Sequence, residues 1–348
     1  MTQRITVMLL FGGESSEHTV SISSARNVYA ALDDTKFDII LAFIDETGRW
    51  WLLETLDQAV DTHDAPQLLP VLGTGCFMTL PSDTMVKPDV ILPILHGEKG
   101  EDGTIQGLAE LLHIPIVGCG VAASAICIDK IITKQILEHN GIKTVPYAVH
   151  MINDSVPSFS QLSATLGDSL FIKPAGCGSS VGISKANNDE ELAAALNEAH
   201  KYDDKVLIEK TIKARELEVG MLGDGDKSKA SGVGEIKPDS EFYDFESKYS
   251  ASSRSRAIIP ADISDELSNQ IRNIAIKAYA VLGCEGLSRI DFFLSDDGIL
   301  YLNEVNTLPG FTNISMYPKL WQAQGVSYSK LIEEIIQLAL KSTKYKKL

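Results

Sequence analysis

The stretch Arg289-Ile290-Asp291-Phe292-Phe293-Leu294-Ser295-Asp296-Asp297-Gly298-Ile299-Leu300-Tyr301-Leu302-Asn303-Glu304-Val305-Asn306 decides how the chain is read. Two strand-like runs flank Asp297-Gly298, a pair preferred in two-residue hairpin turns. With those two residues as the loop, Asp291 lies opposite Glu304 and Arg289 opposite Asn306. Alternation along each strand then puts all four side chains on one face. Two carboxylates held roughly 5 Å apart repel unless a cation lies between them. Carboxylate, carboxylate and amide oxygens suit a hard divalent ion, and magnesium bridging to nucleotide phosphates is the natural case. The alternative is a surface set in which Arg289 neutralises the acids, and a one-residue slip would scatter the four.

Upstream, Lys173-Pro174 ends a strand-like run and leads into Gly176-Cys177-Gly178-Ser179-Ser180-Val181-Gly182. Backbone N–H groups of such a loop curl around phosphate oxygens, although a flexible surface turn has the same composition. No Lys-Ser/Thr follows the last glycine, so this is not a Walker A loop. Between them, residues 239–256 are rich in serine and aromatics and include Glu241-Phe242-Tyr243-Asp244-Phe245-Glu246-Ser247-Lys248-Tyr249. That segment reads as a lid that excludes water, with a surface insertion as the other reading.

Towards the N-terminus, strand-like runs at 5–11, 37–44, 90–95 and 114–117 alternate with helical patterns, which implies a parallel sheet covered by helices. The first run enters Gly12-Gly13 and a helix with Glu17 in its first turn, where an acid also complements the helix dipole. The third enters His96-Gly97-Glu98-Lys99-Gly100-Glu101-Asp102-Gly103, and His96 alone reads equally as a structural hydrogen-bonding residue. Ligands of open α/β sheets gather at such carboxyl ends of strands. Residues 61–88 show no clear period.

Further on, a helix from Asp129 should stop at Asn140-Gly141. A helix capped by Asn188 should bury Leu192, Leu196 and Ala199, and strands are expected at 170–173, 206–209, 216–222 and 232–236. A helix over 264–282 carries Leu267, Ile271, Ile274, Ala278 and Leu282 on one stripe, and a final helix starts near Ser327. Three units follow: 1–125, 126–214 and 215–348. The motif Gly118-Cys119-Gly120-Val121-Ala122-Ala123 imitates a dinucleotide fingerprint. The acid about 20 residues on is Glu138, inside a helix instead of at a second strand, which argues against a nicotinamide enzyme.

The chain has 348 residues, 44% hydrophobic and 22% charged, with a net charge of −16, so nucleic-acid binding is not expected. Its five cysteines form no Cys-x-x-Cys pair, which fits a reducing compartment and argues against structural zinc. No apolar run approaches the roughly 20 residues that span a bilayer. A soluble, cytoplasmic protein without a membrane partner is expected. The basic residues from Lys341 to Lys347 complement the dipole of a terminal helix.

Taken together, these segments resemble the D-alanine–D-alanine ligases of the ATP-grasp superfamily over nearly the whole chain. The likeness rests on Gly12-Gly13 with Ser15, Glu17, Val20 and Ser21, and on His96-Gly97 with Gly100 to Gly103, Gln106 and Gly107. It continues through Ser124-Ala125, Asp129-Lys130, Lys173-Pro174, Gly178 to Gly182, Phe242 to Tyr249, and Glu304 with Asn306, Thr307, Pro309 and Gly310. The resemblance implies an α/β, three-domain ATP-grasp fold, with a Rossmann-like first domain and two α+β lobes that clamp ATP. It implies ATP-dependent joining of two D-alanines through a D-alanyl phosphate for peptidoglycan precursors, by a homodimer with two magnesium or manganese ions.

By position, Lys130, Lys173, Ser179 and Ser180 would hold phosphates, Glu209, Lys210 and Ile212 the adenine, and Glu216 the ribose. Asp291, Glu304 and Asn306 would hold metal. Glu17 and His96 would take the first D-alanine, Ser315 and Met316 the second, and Arg289 and the Gly310 amide the oxyanion. Lys248 and Tyr249 would close over the site; this lid type favours the dipeptide over a D-alanyl–D-lactate ester. Gly176-Cys177 and Phe245 depart from the common pattern. The other readings are an ATP-grasp ligase for a different acid and amine, and a non-catalytic nucleotide sensor.

Overall fold

The computed structural model describes residues 4–178, 181–237, 256–312 and 314–342. Its strands form three sheets, ordered β6-β5-β4-β3-β2-β1-β7, β10-β9-β11-β8 and β14-β13-β12-β15-β16.

In the first sheet, β1 (Ile5–Gly12) lies between β2 (Phe37–Ile44) and β7 (Val90–Ile94), parallel to both. Val7 to Phe11 are wholly buried, as a central parallel strand covered on both faces requires. The unperiodic 61–88 region supplies β4 (Gln67–Val71), β5 (Cys76–Leu80) and β6 (Met85–Val86). With β3 (Trp50–Leu53) they extend the sheet as an antiparallel meander. The strand expected at 114–117 is reduced to one bridge, Ile91 to Ile116. Pro115 has no N–H to continue that ladder. Helix α1 (His18–Ala31) covers one face, and α2 (Thr104–Leu112) covers the other.

Helix α3 (Val121–Ile128) leads into α4 (Lys130–His139), which Asp129 caps through the N–H groups of Ile131 and Ile132. At its far end Gly141 N–H donates to Glu138 O and Ile142 N–H to Leu137 O, the paired bonds of a Schellman stop. The second sheet contains β8 (Tyr147–Met151), β9 (Leu170–Pro174), β10 (Ser184–Ala186) and β11 (Lys205–Lys210). Helices α5 (Phe159–Leu166) and α6 (Asp189–Ala199) cover it. Asn188 caps α6 as expected, by accepting from Glu191 N–H.

The third sheet comprises β12 (Ala214–Leu222), β13 (Lys229–Lys237), β14 (Arg256–Ile258), β15 (Leu287–Ser295) and β16 (Leu300–Asn306). One face packs Leu217, Val219, Ile290 and Phe292 against α7 (Asp265–Val281), whose buried stripe adds Ala275 and Tyr279 to the expected residues. Helices α3 and α4 contribute Ala123, Cys127 and Leu137 to the same core. The cysteines scattered in sequence partly converge here, with Cys127 and Cys284 sulfurs 3.8 Å apart. Gly118 belongs to this packing too: a Cβ on Gly286 would stand 3.1 Å from its Cα. Close chain approach therefore accounts for the glycine of the false fingerprint.

Helix α8 (Met316–Gln322) packs on β12 and β13, whereas α9 (Tyr328–Lys341) returns to the first sheet. Its Leu331, Ile332, Ile335 and Ile336 join the core of β1 and β7. The last helix thus ties the third unit to the first.

Candidate active site

Within the described residues, three surfaces converge, one from each sheet. The first is the pair of loops leaving β1 and β7, parallel neighbours whose following chains diverge, where a crevice opens. Ser15 hydroxyl donates to His96 O at 2.6 Å, and Gly12 N–H donates to Ser21 Oγ at 2.8 Å while Ser21 hydroxyl donates to Ile94 O. These bonds fix Glu17 and His96, both buried, beside one another. Burial depresses the His96 pKa, and the nearby Glu17 carboxylate offsets only part of that, so the imidazole is neutral. His96 also bonds the Leu308 backbone, which reaches across to the third sheet's segment. Gly97 N–H donates to Glu101 Oε2 at 3.2 Å. Burial and the Glu17 charge push the Glu101 carboxyl up to about 8. A cavity of about 160 Å³ opens behind His96, among Gly13, Trp50, Lys99 and Leu108, and none of Arg289, Asp291 or Glu304 lines it.

The second surface is the end of β9. Lys173 Nζ lies 2.5 Å from Glu209 Oε2, and Lys134 Nζ lies 2.6 Å from Glu209 Oε1. Burial would raise the Glu209 carboxyl, but the two lysines outweigh it and hold it at about 2. For Lys173, burial pulls downward and the Glu209 pair prevails, leaving a firmly held cation. Lys130 donates to Cys177 O at 2.6 Å; burial lowers its pKa against the pull of Glu304. The glycine loop reaches the first surface, since a Cβ on Gly178 would lie 3.8 Å from Glu17 Oε2. Ser179, Ser180, Lys248 and Tyr249 lie outside the described residues. Lys210 is exposed, Ile212 is half-buried, and Glu216 stands on β12 opposite Ile236 and Phe293.

The third surface is the face of the third sheet away from α7. Asp291 pairs with Glu304 and Arg289 with Asn306, the register read from sequence. It arises differently, however. The hairpin tip has three residues, with Gly298 N–H donating to Ser295 O and Ser295 N–H to Ile299 O. Gly298 takes φ +78°, the left-handed position that closes such a tip. An irregularity between Asp291 and Phe292 then shifts the pairing back by one residue. Arg289 donates to both Asp291 oxygens at 2.7 and 2.6 Å, and Asn306 Nδ2 donates to Asp291 Oδ2 at 3.0 Å. Glu218, which the sequence reading passed over, is the partner of Asp291 on β12 and lies 3.0 Å from Arg289 Nε. Glu218, Asp291 and Glu304 therefore form one cross-strand row. Burial opposes the Arg289 charge, but Asp291, Glu218 and Glu304 keep it raised.

Beyond β16, Ser315 Oγ accepts from Thr312 N–H at 3.0 Å, and a Cβ on Gly310 would stand 2.8 Å from that oxygen. Met316 follows directly in the chain, with its side chain buried against Gly234.

Glu304, Asp291 and the Asn306 amide oxygen make a hard donor set. Among the described residues no group of three His, Cys, Asp or Glu is arranged to hold a metal by itself. Two carboxylates and an amide oxygen fit magnesium, which completes its shell with phosphates and water. Arg289 occupies both Asp291 oxygens, so a cation here would share Asp291 and rest mainly on Glu304 and Asn306.

A Rossmann-like sheet joined to two lobes, with lysines on one and a carboxylate hairpin on the other, defines an ATP-grasp ligase. The N-terminal model of the D-ala D-ala ligase family matches residues 6–119, and its C-terminal model matches residues 136–337. The D-alanine–D-alanine ligase A of Chromobacterium violaceum is 44% identical over 352 residues, covering 97% of this chain and 95% of that protein. The Escherichia coli K12 enzyme of the same name is 41% identical, with 97% and 96% covered. Among solved structures, the D-alanine–D-alanine ligase of Coxiella burnetii superposes with TM-score 0.89 at 34% identity, covering 99% of this chain and 96% of that one. The VanG D-Ala:D-Ser ligase of Enterococcus faecalis gives 0.88 at 34%, with 97% and 100% covered. The chain belongs to the D-alanine–D-alanine ligase family, and it is an ATP-dependent ligase.

Sequence reasoning passed over two further residues here. Lys134 sits on α4 among apolar neighbours, four residues after Lys130, and that spacing on one helix face was its only signal. Glu218 interrupts an apolar strand two residues after Glu216, a polar alternation that marks a shared face.

Proposed function

We propose that the enzyme joins two D-alanines, releasing ADP and phosphate, for peptidoglycan precursors in the cytoplasm. The observation that carries this is the meeting of the Glu17–His96 loops with the Arg289–Asp291–Glu304 face and the Lys130–Lys173 pair. In this reading Glu17 and His96 hold the first D-alanine with its carboxylate towards the lysines. That carboxylate attacks the γ-phosphorus, the bond to the β-phosphate oxygen breaks, and ADP leaves while Lys130 and Lys173 offset the charge on the phosphoryl oxygens. Asp291, Glu304 and Asn306 would hold two magnesium or manganese ions, which supply further neutralisation of the phosphates when bound. The neutral amine of the second D-alanine, beside Ser315 and Met316, attacks the acyl carbon with the oxyanion facing Arg289 and the Gly310 N–H; the C–O bond to phosphate then breaks, and phosphate leaves with the amine's surplus proton. Glu209, Lys210 and Ile212 frame the adenine, Glu216 takes the ribose, and Ser179, Ser180, Lys248 and Tyr249 close the site. The enzyme acts as a homodimer on this reading, and neither nucleic acid nor membrane is a partner.

The test is phosphate release from ATP with magnesium and D-alanine, with L-alanine, D-serine and D-lactate as alternatives, the product being weighed by mass spectrometry. D-alanyl-D-alanine formation that Glu304→Ala abolishes is expected. Turnover confined to a different acid or amine would overturn the substrate assignment.

A further inference from the structure

The glycine loop carries no charged residue between Lys173 and Gly182, and its first glycine is held from outside the loop. Gly176 N–H donates to Asp203 Oδ2 at 2.7 Å, while Asp203 Oδ1 accepts from Lys205 N–H at 2.9 Å. Both oxygens of one half-buried carboxylate are thus committed to backbone donors, and bonds to an ionised acceptor are the strong kind. The neighbouring contacts converge on the same turn. Ala175 N–H donates to Lys205 O at 2.9 Å, and Cys177 Sγ lies 3.8 Å from Tyr202 O. The far end of the loop returns there as well. A Cβ on Gly182, at φ +67°, would stand 2.8 Å from both Pro174 Cγ and the Tyr202 ring. The turn after α6 therefore underlies both ends of the loop.

That turn is itself braced. His200 Nδ1–H donates to Asp203 O at 2.9 Å, and the other ring nitrogen, Nε2, shares a hydrogen bond of 2.9 Å with His150 Nδ1. Asp203 N–H also donates back to Ala199 O at the end of α6. From the opposite side Lys130 holds the loop through Cys177 O. The first half of the loop is thus gripped between a lysine facing the site and a carboxylate behind it.

We propose that Asp203 is a positioning residue for nucleotide binding: by anchoring Gly176 it sets where the loop presents its amides to phosphate. Backbone amides bind anions only when they are aimed together, so a loop left to relax forfeits affinity without losing any contacting side chain. The inference rests on reading residues 175–182 as the phosphate loop.

The test uses the whole enzyme with Asp203→Asn and Gly176→Ala. Asparagine keeps the shape but offers one oxygen to two N–H donors. Calorimetry with magnesium and a non-hydrolysable ATP analogue should show affinity weakened about 10-fold in Asp203→Asn, the effect of losing one bond to a charged group. The KM for ATP should rise with it, while the KM for D-alanine and the melting temperature stay near wild type. In Gly176→Ala the new Cβ would meet Asp203 Oδ2 at 3.1 Å, so a smaller shift in the same direction is expected, and it serves if the first variant does not fold. Unchanged nucleotide affinity in both variants would overturn the proposal. So would a fall in nucleotide affinity and melting temperature together with a rise in the D-alanine KM, which would make Asp203 a support of the fold alone. Because calorimetry needs no turnover, a wrong substrate assignment would leave this result readable.

Discussion

Glu209→Gln isolates the buried charge cluster under the second surface. The Glu209 side chain is 3% exposed and sits between Lys134, 2% exposed, and Lys173. Its carboxyl is held at about 2, against an ordinary value of 4.5. Converted at 1.36 kcal/mol per pKa unit, the ionised form is favoured in the fold by about 3 kcal/mol. Glutamine keeps the shape and removes the charge, leaving Lys134 with at most a neutral amide oxygen there, besides Val145 O at 3.2 Å, the Tyr147 ring at 5.2 Å and the weaker pull of Glu138. Breaking a buried pair in this way typically costs about 3–5 kcal/mol, so a loss of about 3 kcal/mol at pH 7 is expected. Because the folded-state pKa lies below the unfolded one, this stability is present above pH 4.5 and is lost as pH falls towards 2. The gap between wild type and variant should therefore be full at pH 7 and 5, then narrow by about 1.4 kcal/mol per pH unit below 4.5. Urea unfolding at pH 7, 5 and 3.5 measures it. A gap below about 1 kcal/mol at pH 7, or one that does not narrow at pH 3.5, would refute the reasoning.

Glu101→Gln tests the opposite shift. With its carboxyl raised to about 8, Glu101 favours the protonated fold, so its contribution is whole below pH 4.5 and declines as pH rises to about 8. The neutral variant should lose that slope, gaining on wild type in melting temperature between pH 5 and 8; parallel curves would sink the assignment. Gly310→Ala would place a Cβ 2.8 Å from the Ser315 hydroxyl, which Thr312 holds in place. Displacing the amide proposed to face the oxyanion should lower kcat about 10²-fold with nucleotide affinity unchanged, as single-turnover kinetics and calorimetry would show. An unaffected kcat would remove Gly310 from the oxyanion site.

The sequence made the third surface legible because a strand's period of two converts spacing directly into faces. Even so, Asp291 meets Glu304 through two departures that cancel, a three-residue tip and a compensating shift beside Asp291. Helices with caps and glycine stops, such as α4 and α6, were equally legible because local chemistry decides them. What escaped depends on tertiary neighbours. Lys134 reads as a surface lysine until Glu209 arrives from a strand far along the chain. The meander within residues 61–88 has short strands whose partners are set by the edge they extend. Nothing local in α9 says that its apolar stripe belongs to the first sheet and not to the third.

The same neighbours give the site its polarity. On the third sheet one arginine faces the row Glu218, Asp291 and Glu304, so that surface carries excess negative charge. On the second, Lys134 and Lys173 both pair with Glu209 and Lys130 stands close by, so the lysines outnumber the carboxylate they pair with. The charged side chains at both are largely buried, and neither imbalance is cheap in a medium of low dielectric. On the proposed reading, a magnesium nucleotide would complement the pair in one orientation, cation towards the hairpin and phosphates towards the lysines. Lys130 registers both surfaces, since burial lowers its pKa while Glu304 and Glu209 pull it upward. Phosphate bound beside it would add to that upward pull, so substrate binding itself would hold Lys130 charged where the phosphoryl group is transferred.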